Sequence, residues 1–229
     1  MLKNLIKKIV YREKADSESY VAWLRKQGAK VGERVNVFVP TKTTIDMTRP
    51  WLIDIGDDVQ ITEGVTILTH GYDWSVLKKV YGEILGSSGG VVIGNNVFIG
   101  MNATILKGVH IGNNVIIGAN SLVNKNIPDN VVVAGNPCRI IMTLDDYYQK
   151  RKESQISEAR ELVYKYRERY GKEPSPTVLR EFFWLFAKEE LPTCYDEMQS
   201  LCGNYEDSMI LLKKKEKEYK GIDDFLNRI

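Results

Sequence analysis

The sequence predicts a mainly β chain whose short parallel strands wind around a three-sided prism. Three observations lead there. From Ile55 the chain falls into six-residue blocks, IGDDVQ, ITEGVT and ILTH, and resumes as IGNNVF, IGMNAT, ILKGVH, IGNNVI, IGANSL and VNKNIP. Each block opens on an aliphatic residue: Ile55, Ile61, Ile67, Ile93, Ile99, Ile105, Ile111, Ile117 and Val123. The fifth position is small or β-branched, as at Val59, Val97, Ala103, Val115 and Ser121. A period of six matches neither a helix face nor a long alternating strand. It fits a short strand and a corner, three of which close one coil.

Each element follows in order. Residues 1–28 read as a helical arm, with Tyr20, Val21 and Leu24 as its apolar face and Gly28 as its stop. The basic stretch before Lys14 has its apolar positions broken by charge, so it fails as a signal peptide and is expected to be a solvated helix end rather than a basic amphipathic arm lying on a membrane. VGERVN and VFVPTK, from Val31 and Val37, share the register of the later blocks and open a repeat domain over residues 29–141. Stacking buries the leading aliphatics in one continuous core, while Gly and Asn suit corners with unusual backbone angles. Between Ile67 and Ile93 the period breaks, so a loop, about 71–91, must leave the prism and return. Residues 142–229 form a helical extension. Ile156, Ala159, Leu162, Val163, Tyr166 and Tyr170 have helical spacing ended by Gly171. A second helix is expected from Ser175-Pro176 to about Pro192, and a third from Glu206 to Lys220. The FFWLF cluster is expected to pack against the prism or a neighbouring subunit.

Composition narrows the function. Thirty-two Lys and Arg against thirty Asp and Glu leave a net charge of +2, without the basic excess of a nucleic-acid binder. No apolar run reaches the length of a membrane span. Three cysteines without a CxxC pair fit a reduced, cytoplasmic chain. Two histidines are too few for a three-histidine zinc site, so no metal is expected.

A rigid scaffold that ejects one loop concentrates function there. His70 stands at the departure point, in ILTHGYDW, and imidazole is suited to proton abstraction near neutral pH. His110 is expected on the outer wall, without a partner.

The repeats and the closing segment IGANSLVNKNIPDNVVVAGNPCRII resemble the hexapeptide-repeat acyltransferases, particularly the maltose- and galactoside-type and surface-polysaccharide O-acetyltransferases. The resemblance implies a left-handed parallel β-helix, a hand opposite to the usual parallel crossover. It implies an acetyl-CoA-dependent O-acetyltransferase acting on a sugar hydroxyl, such as that of a cell-surface polysaccharide precursor, with His70 as general base. It implies coenzyme A as co-substrate, with backbone near Gly100 and Met101 at the oxyanion and Gly118 and Ala119 against the pantetheine arm. Lys125 and Arg139 would meet the phosphates; Asn124 stands where relatives carry threonine, and Met142 where some carry a second arginine. It also implies a homotrimer with active sites between subunits. The acceptor pocket is less legible. Tyr72 and Trp74 would stack on a sugar or anchor the loop, and Asp46 would orient His70, bind an acceptor hydroxyl or merely make a turn. Serine or chloramphenicol-type acetylation, or a non-catalytic trimeric module, are the competing functions.

Overall fold

The computed structural model describes residues 7, 9–187, 193–214, 216 and 218–229. Most of the basic stretch before Lys14 and the helix end expected near Pro192 therefore lie outside the described residues. The chain divides into two compact units, residues 1–147 and 148–229.

The first unit opens with helix α1 (Ser17–Gln27). Asp16 caps it by accepting the Ser19 N–H at 2.8 Å, and Gly28 ends it at φ 107°. Tyr20, Val21 and Leu24 are its buried face, as the spacing predicts. Two coils follow: β1 (Lys30–Val31), β2 (Asn36–Val37) and β3 (Thr44–Ile45), then β4 (Ile53–Ile55), β5 (Gln60–Ile61) and β6 (Thr66–Ile67). The loop carries one helix, α2 (Trp74–Tyr81). The next two coils are β7 (Val91–Ile93), β8 (Val97–Ile99) and β9 (Thr104–Ile105), then β10 (His110–Ile111), β11 (Val115–Ile117) and β12 (Leu122–Val123). A last pair, β13 (Val131–Ala134) and β14 (Arg139–Thr143), closes the stack.

Every third strand lies in the same sheet. The three faces run β1-β4-β7-β10, β2-β5-β8-β11-β13-β14 and β3-β6-β9-β12, the architecture of a left-handed parallel β-helix. Registers are those of the repeat: Ile93 lies over Ile111, Ile99 over Ile117 and Ile105 over Val123. All six are at most 2% exposed. Ser121, the one polar residue among the fifth positions, is buried because its hydroxyl donates to the Gly118 carbonyl at 2.7 Å.

One corner explains the Gly-Asn-Asn motif. Arg34, Asp58, Asn96, Asn114 and Asn130 occupy the left-handed region, at φ 54–60°. The residue before each of the last four accepts a backbone N–H from the preceding coil: Asp57 from Glu33, Asn95 from Asp57, Asn113 from Asn95 and Asp129 from Asn113, at 2.7–2.8 Å. Glycine precedes the first three of these acceptors because coils touch there; a Cβ on Gly94 would lie 2.7 Å from the Gly112 carbonyl oxygen.

The first coil and its connection to the second depart from the six-residue period. Short 3-10 turns at Pro40–Lys42 and Pro50–Leu52 lengthen the connections before β3 and β4. The loop's stem is zipped shut: Gly89 donates to Thr69 at 2.9 Å, Gly71 donates to Ser87 at 3.3 Å, and His70 bridges Ser88 in antiparallel register.

Helix α3 (Leu144–Tyr170) leaves the last strand and supplies Ala159 and Val163 to the core of the second unit. Two expectations are corrected there. The segment carrying the FFWLF cluster forms a 3-10 helix, Arg180–Leu185, rather than an α-helix. Its Phe183, Leu185 and Phe186 pack inside their own unit, with Tyr195, Tyr219 and Phe225. After α4 (Asp196–Ser200), the helix expected to reach Lys220 is α5 (Tyr205–Lys214), and a separate α6 (Ile222–Asn227) follows.

Candidate active site

The register between β3 and β6 sets Ile45 beside Ile67, so the residues just beyond them meet at one corner. Asp46 donates its N–H to the Ile67 carbonyl at 2.9 Å, which places its side chain under Thr69 and His70. Asp46 is 8% exposed and saturated with donors. Its Oδ2 accepts the Thr69 N–H at 3.1 Å, the Thr69 hydroxyl at 2.5 Å and His70 Nδ1 at 2.5 Å. Its Oδ1 accepts the Thr48 N–H at 3.0 Å and the Thr48 hydroxyl at 2.7 Å. Burial alone would raise the pKa of this carboxyl. The bonds from Thr69 and Thr48 outweigh burial and hold it well below the usual carboxylate range.

An ionised carboxylate only accepts, so His70 Nδ1 must carry the proton shared with it. Nε2 of the neutral ring is then a lone-pair acceptor. The imidazole is 14% exposed, and Tyr72 stands edge-on to it with ring centroids 5.0 Å apart. Tyr72 in turn lies 6.2 Å from Trp74, the first residue of α2. The corner therefore presents an oriented base beside two aromatic rings, one of which, Tyr72, is 68% exposed. His70, Asp46, Tyr72 and Trp74 are brought together. The threonines at 48 and 69 escaped the sequence reading; Asp-x-Thr before a proline signals only a turn.

The other candidates occupy two further places. Gly100 and Met101 follow β8 and lie directly against Gly118 and Ala119, which follow β11 one coil later. A Cβ on Gly100 would lie 2.6 Å from the Ala119 nitrogen, and the Met101 carbonyl accepts the Asn120 N–H at 2.7 Å. Ala119 is exposed. The Gly100 N–H is committed to the Ile117 carbonyl at 2.8 Å, which removes it as an oxyanion donor. The Met101 N–H makes no backbone hydrogen bond among the described residues.

Asn124 and Lys125 follow β12, at the same corner as His70. Since Ile67, Ile105 and Val123 are in register, Lys125 stands two coils from Thr69, about 10 Å along the prism at the usual strand spacing. Arg139 begins β14 and is exposed, as are Asn124 and Lys125. Within one chain no hydrogen bond or ring contact among the described residues joins the Gly100–Ala119 corner to His70. His110 is exposed on β10; its backbone N–H donates to Asn126 Oδ1 at 2.9 Å and its carbonyl accepts the Ile127 N–H at 2.9 Å.

Comparison with known proteins points to the same family. Residues 90–125 match the profile of the bacterial transferase hexapeptide (six repeats). The chain is 42% identical over 149 residues to Protein CapG of Staphylococcus aureus, covering 65% of this chain and 83% of that protein. It is 43% identical over 104 residues to galactoside O-acetyltransferase of Escherichia coli (strain K12), covering 44% of this chain and 50% of that one. Among solved structures, a galactoside acetyltransferase in complex with coenzyme A is 30% identical at a TM-score of 0.43, covering 65% of this chain and 84% of that chain. With the repeat register, the coil architecture and a relative matched over most of its length, the chain belongs to the hexapeptide-repeat acyltransferase family.

Proposed function

We propose that this protein transfers an acetyl group from acetyl-CoA to a hydroxyl of a sugar, in a glycan or its precursor. The observation that carries the reading is the His70 ring, held through Nδ1 by the buried carboxylate of Asp46 with Nε2 left to act on an acceptor. In this reaction Nε2 takes the proton of the acceptor hydroxyl as its oxygen attacks the thioester carbonyl carbon. The C–S bond then breaks, and the coenzyme thiolate recovers the proton from the imidazolium. Asp46 stabilises the imidazolium and fixes the tautomer, as an orienting carboxylate does in hydrolase triads. The Met101 N–H is the candidate oxyanion donor, and Ala119 leaves room for the pantetheine arm. Asn124, Lys125 and Arg139 receive the nucleotide end, where fixed positive charge suits phosphate. The exposed ring of Tyr72 and the half-buried ring of Trp74 suit the apolar face of a sugar.

A site using both the His70 corner and the Met101 corner is assembled most simply by two copies packed side by side, which supports a homotrimer. Among the described residues no helix is long and apolar enough to span a membrane, and the three cysteines are free thiols. Both fit work in the cytoplasm, where acetyl-CoA is made. The similarity to galactoside O-acetyltransferase of Escherichia coli supports the sugar acceptor.

The test is acetyl-CoA turnover with oligosaccharides, nucleotide sugars, serine and chloramphenicol as acceptors. His70→Ala is expected to lower turnover by about a thousandfold, the scale of a lost general base. The rise in melting temperature on adding coenzyme A should persist in that variant. Near-full turnover in His70→Ala, or transfer to serine or chloramphenicol alone, would overturn the reading.

A further inference from the structure

Residues 148–229 contain a groove that the proposed reaction does not use. It has a volume of about 660 Å³, within the range of small-molecule sites, and lies wholly inside the second unit. Tyr148, Lys152 and Gln155 line it from successive turns of α3, and Glu181, Phe182 and Trp184 from the 3-10 segment. Tyr148 is 56% exposed, and the Lys152 ammonium lies over its ring at 5.2 Å. Beside them Arg151 is tied to Glu158 by two bonds of 2.5–2.7 Å, so its charge is already compensated.

The chemistry of this lining selects its occupant. Three aromatic rings ask for a ligand with a flat apolar face. An amide, a carboxylate and an ammonium on the same walls ask for groups that both donate and accept. A purely apolar occupant would strip these three of water without repayment. A nucleotide would need net positive charge for its phosphates, yet the lining carries Glu181 as well as Lys152, and Arg151 is already paired with Glu158. A pyranose ring satisfies both demands, because its C–H face stacks on aromatics while its hydroxyls at the rim donate and accept.

We propose that the groove bounded by Tyr148, Phe182 and Trp184 is a carbohydrate-binding site, holding one or two pyranose units of an oligosaccharide. The proposal extends the glycan reading above, but its test does not depend on turnover. The full-length protein is titrated by calorimetry with maltotriose, diacetylchitobiose and trigalacturonate, and the indole N–H signals are followed by NMR. Saturable binding of at least one saccharide, shifting the Trp184 signal, is expected.

Trp184→Ala should weaken that binding at least tenfold and Gln155→Ala several-fold, whereas Trp184→Phe, which keeps a ring, should stay within about threefold of wild type. Gln155→Ala guards against a Trp184→Ala chain that fails to fold. His70→Ala should bind the saccharide as wild type does, and Trp184→Ala should still acetylate a free monosaccharide acceptor. Absence of binding by all three saccharides, unchanged affinity in both alanine variants, or displacement of the saccharide by an amphipathic peptide would each overturn the proposal. If saccharides bind here while acetylation of every sugar fails, the catalytic reading falls and this one stands.

Discussion

A single carboxylate decides how the His70 ring is presented. Asp46 accepts from His70, Thr69 and Thr48 while almost sealed from solvent. Asp46→Asn keeps the shape but offers an amide in place of an anion, which favours the wrong imidazole tautomer. Turnover should fall by about a hundredfold or more with little change in coenzyme affinity, read from steady-state kinetics beside a thermal-shift titration. A pH effect on stability follows from the same group. Its folded pKa lies below the unfolded value of about 3.9, so its contribution is full above that pH and is lost as pH falls below it. Urea unfolding between pH 5 and 2 should therefore be steeper in pH for wild type than for Asp46→Asn. His70 was legible in the sequence because the repeat breaks beside it. Asp46 was legible only as one of several roles, because proline-led turns lengthen the first coil and its connection to the second and hide the register that brings it beneath Thr69.

At the level of elements, the corner formed by Arg34, Asp58, Asn96, Asn114 and Asn130 is a backbone demand met by side chains. Asn114 sits at φ 56°, accepts from Asn96 at 2.9 Å and donates to Asn130 at 2.9 Å. Asn114→Ala should lower stability by about 1–2 kcal/mol, the strain of a left-handed non-glycine residue plus lost hydrogen bonds. Asn114→Gly should cost less than Asn114→Ala, and denaturant midpoints will order the two. Helix α1 makes its own prediction. Burial of Tyr20 and the nearby charge of Glu13 push its phenol up to about 12. The stability this supplies is present below pH 10 and disappears between about pH 10 and 12, so Tyr20→Phe should flatten alkaline unfolding in that window. The prism was readable because each block repeats the same physical problem. The second unit was not. Its 3-10 segment follows from contacts of Phe183 with Tyr195 and of Phe186 with Phe225, which are distant in sequence and leave no period.

Over the whole molecule, two units with separate cores should not melt as one. Calorimetry is expected to resolve two transitions, of which coenzyme A raises only that of residues 1–147. Light scattering should give about 79 kDa, three copies of the 26.2 kDa chain. A monomer retaining full turnover would remove the shared-site arrangement.

Parallel coils have an intrinsic hazard, since each rung is a template for another. β14 runs antiparallel to β13, so the rung it offers points the wrong way for a further coil, and α1 packs against β1 and β2 at the opposite end. These two pieces act as chain terminators in the sense a polymer chemist would use. Shaving either away should turn a discrete enzyme into a monomer unit for filament growth.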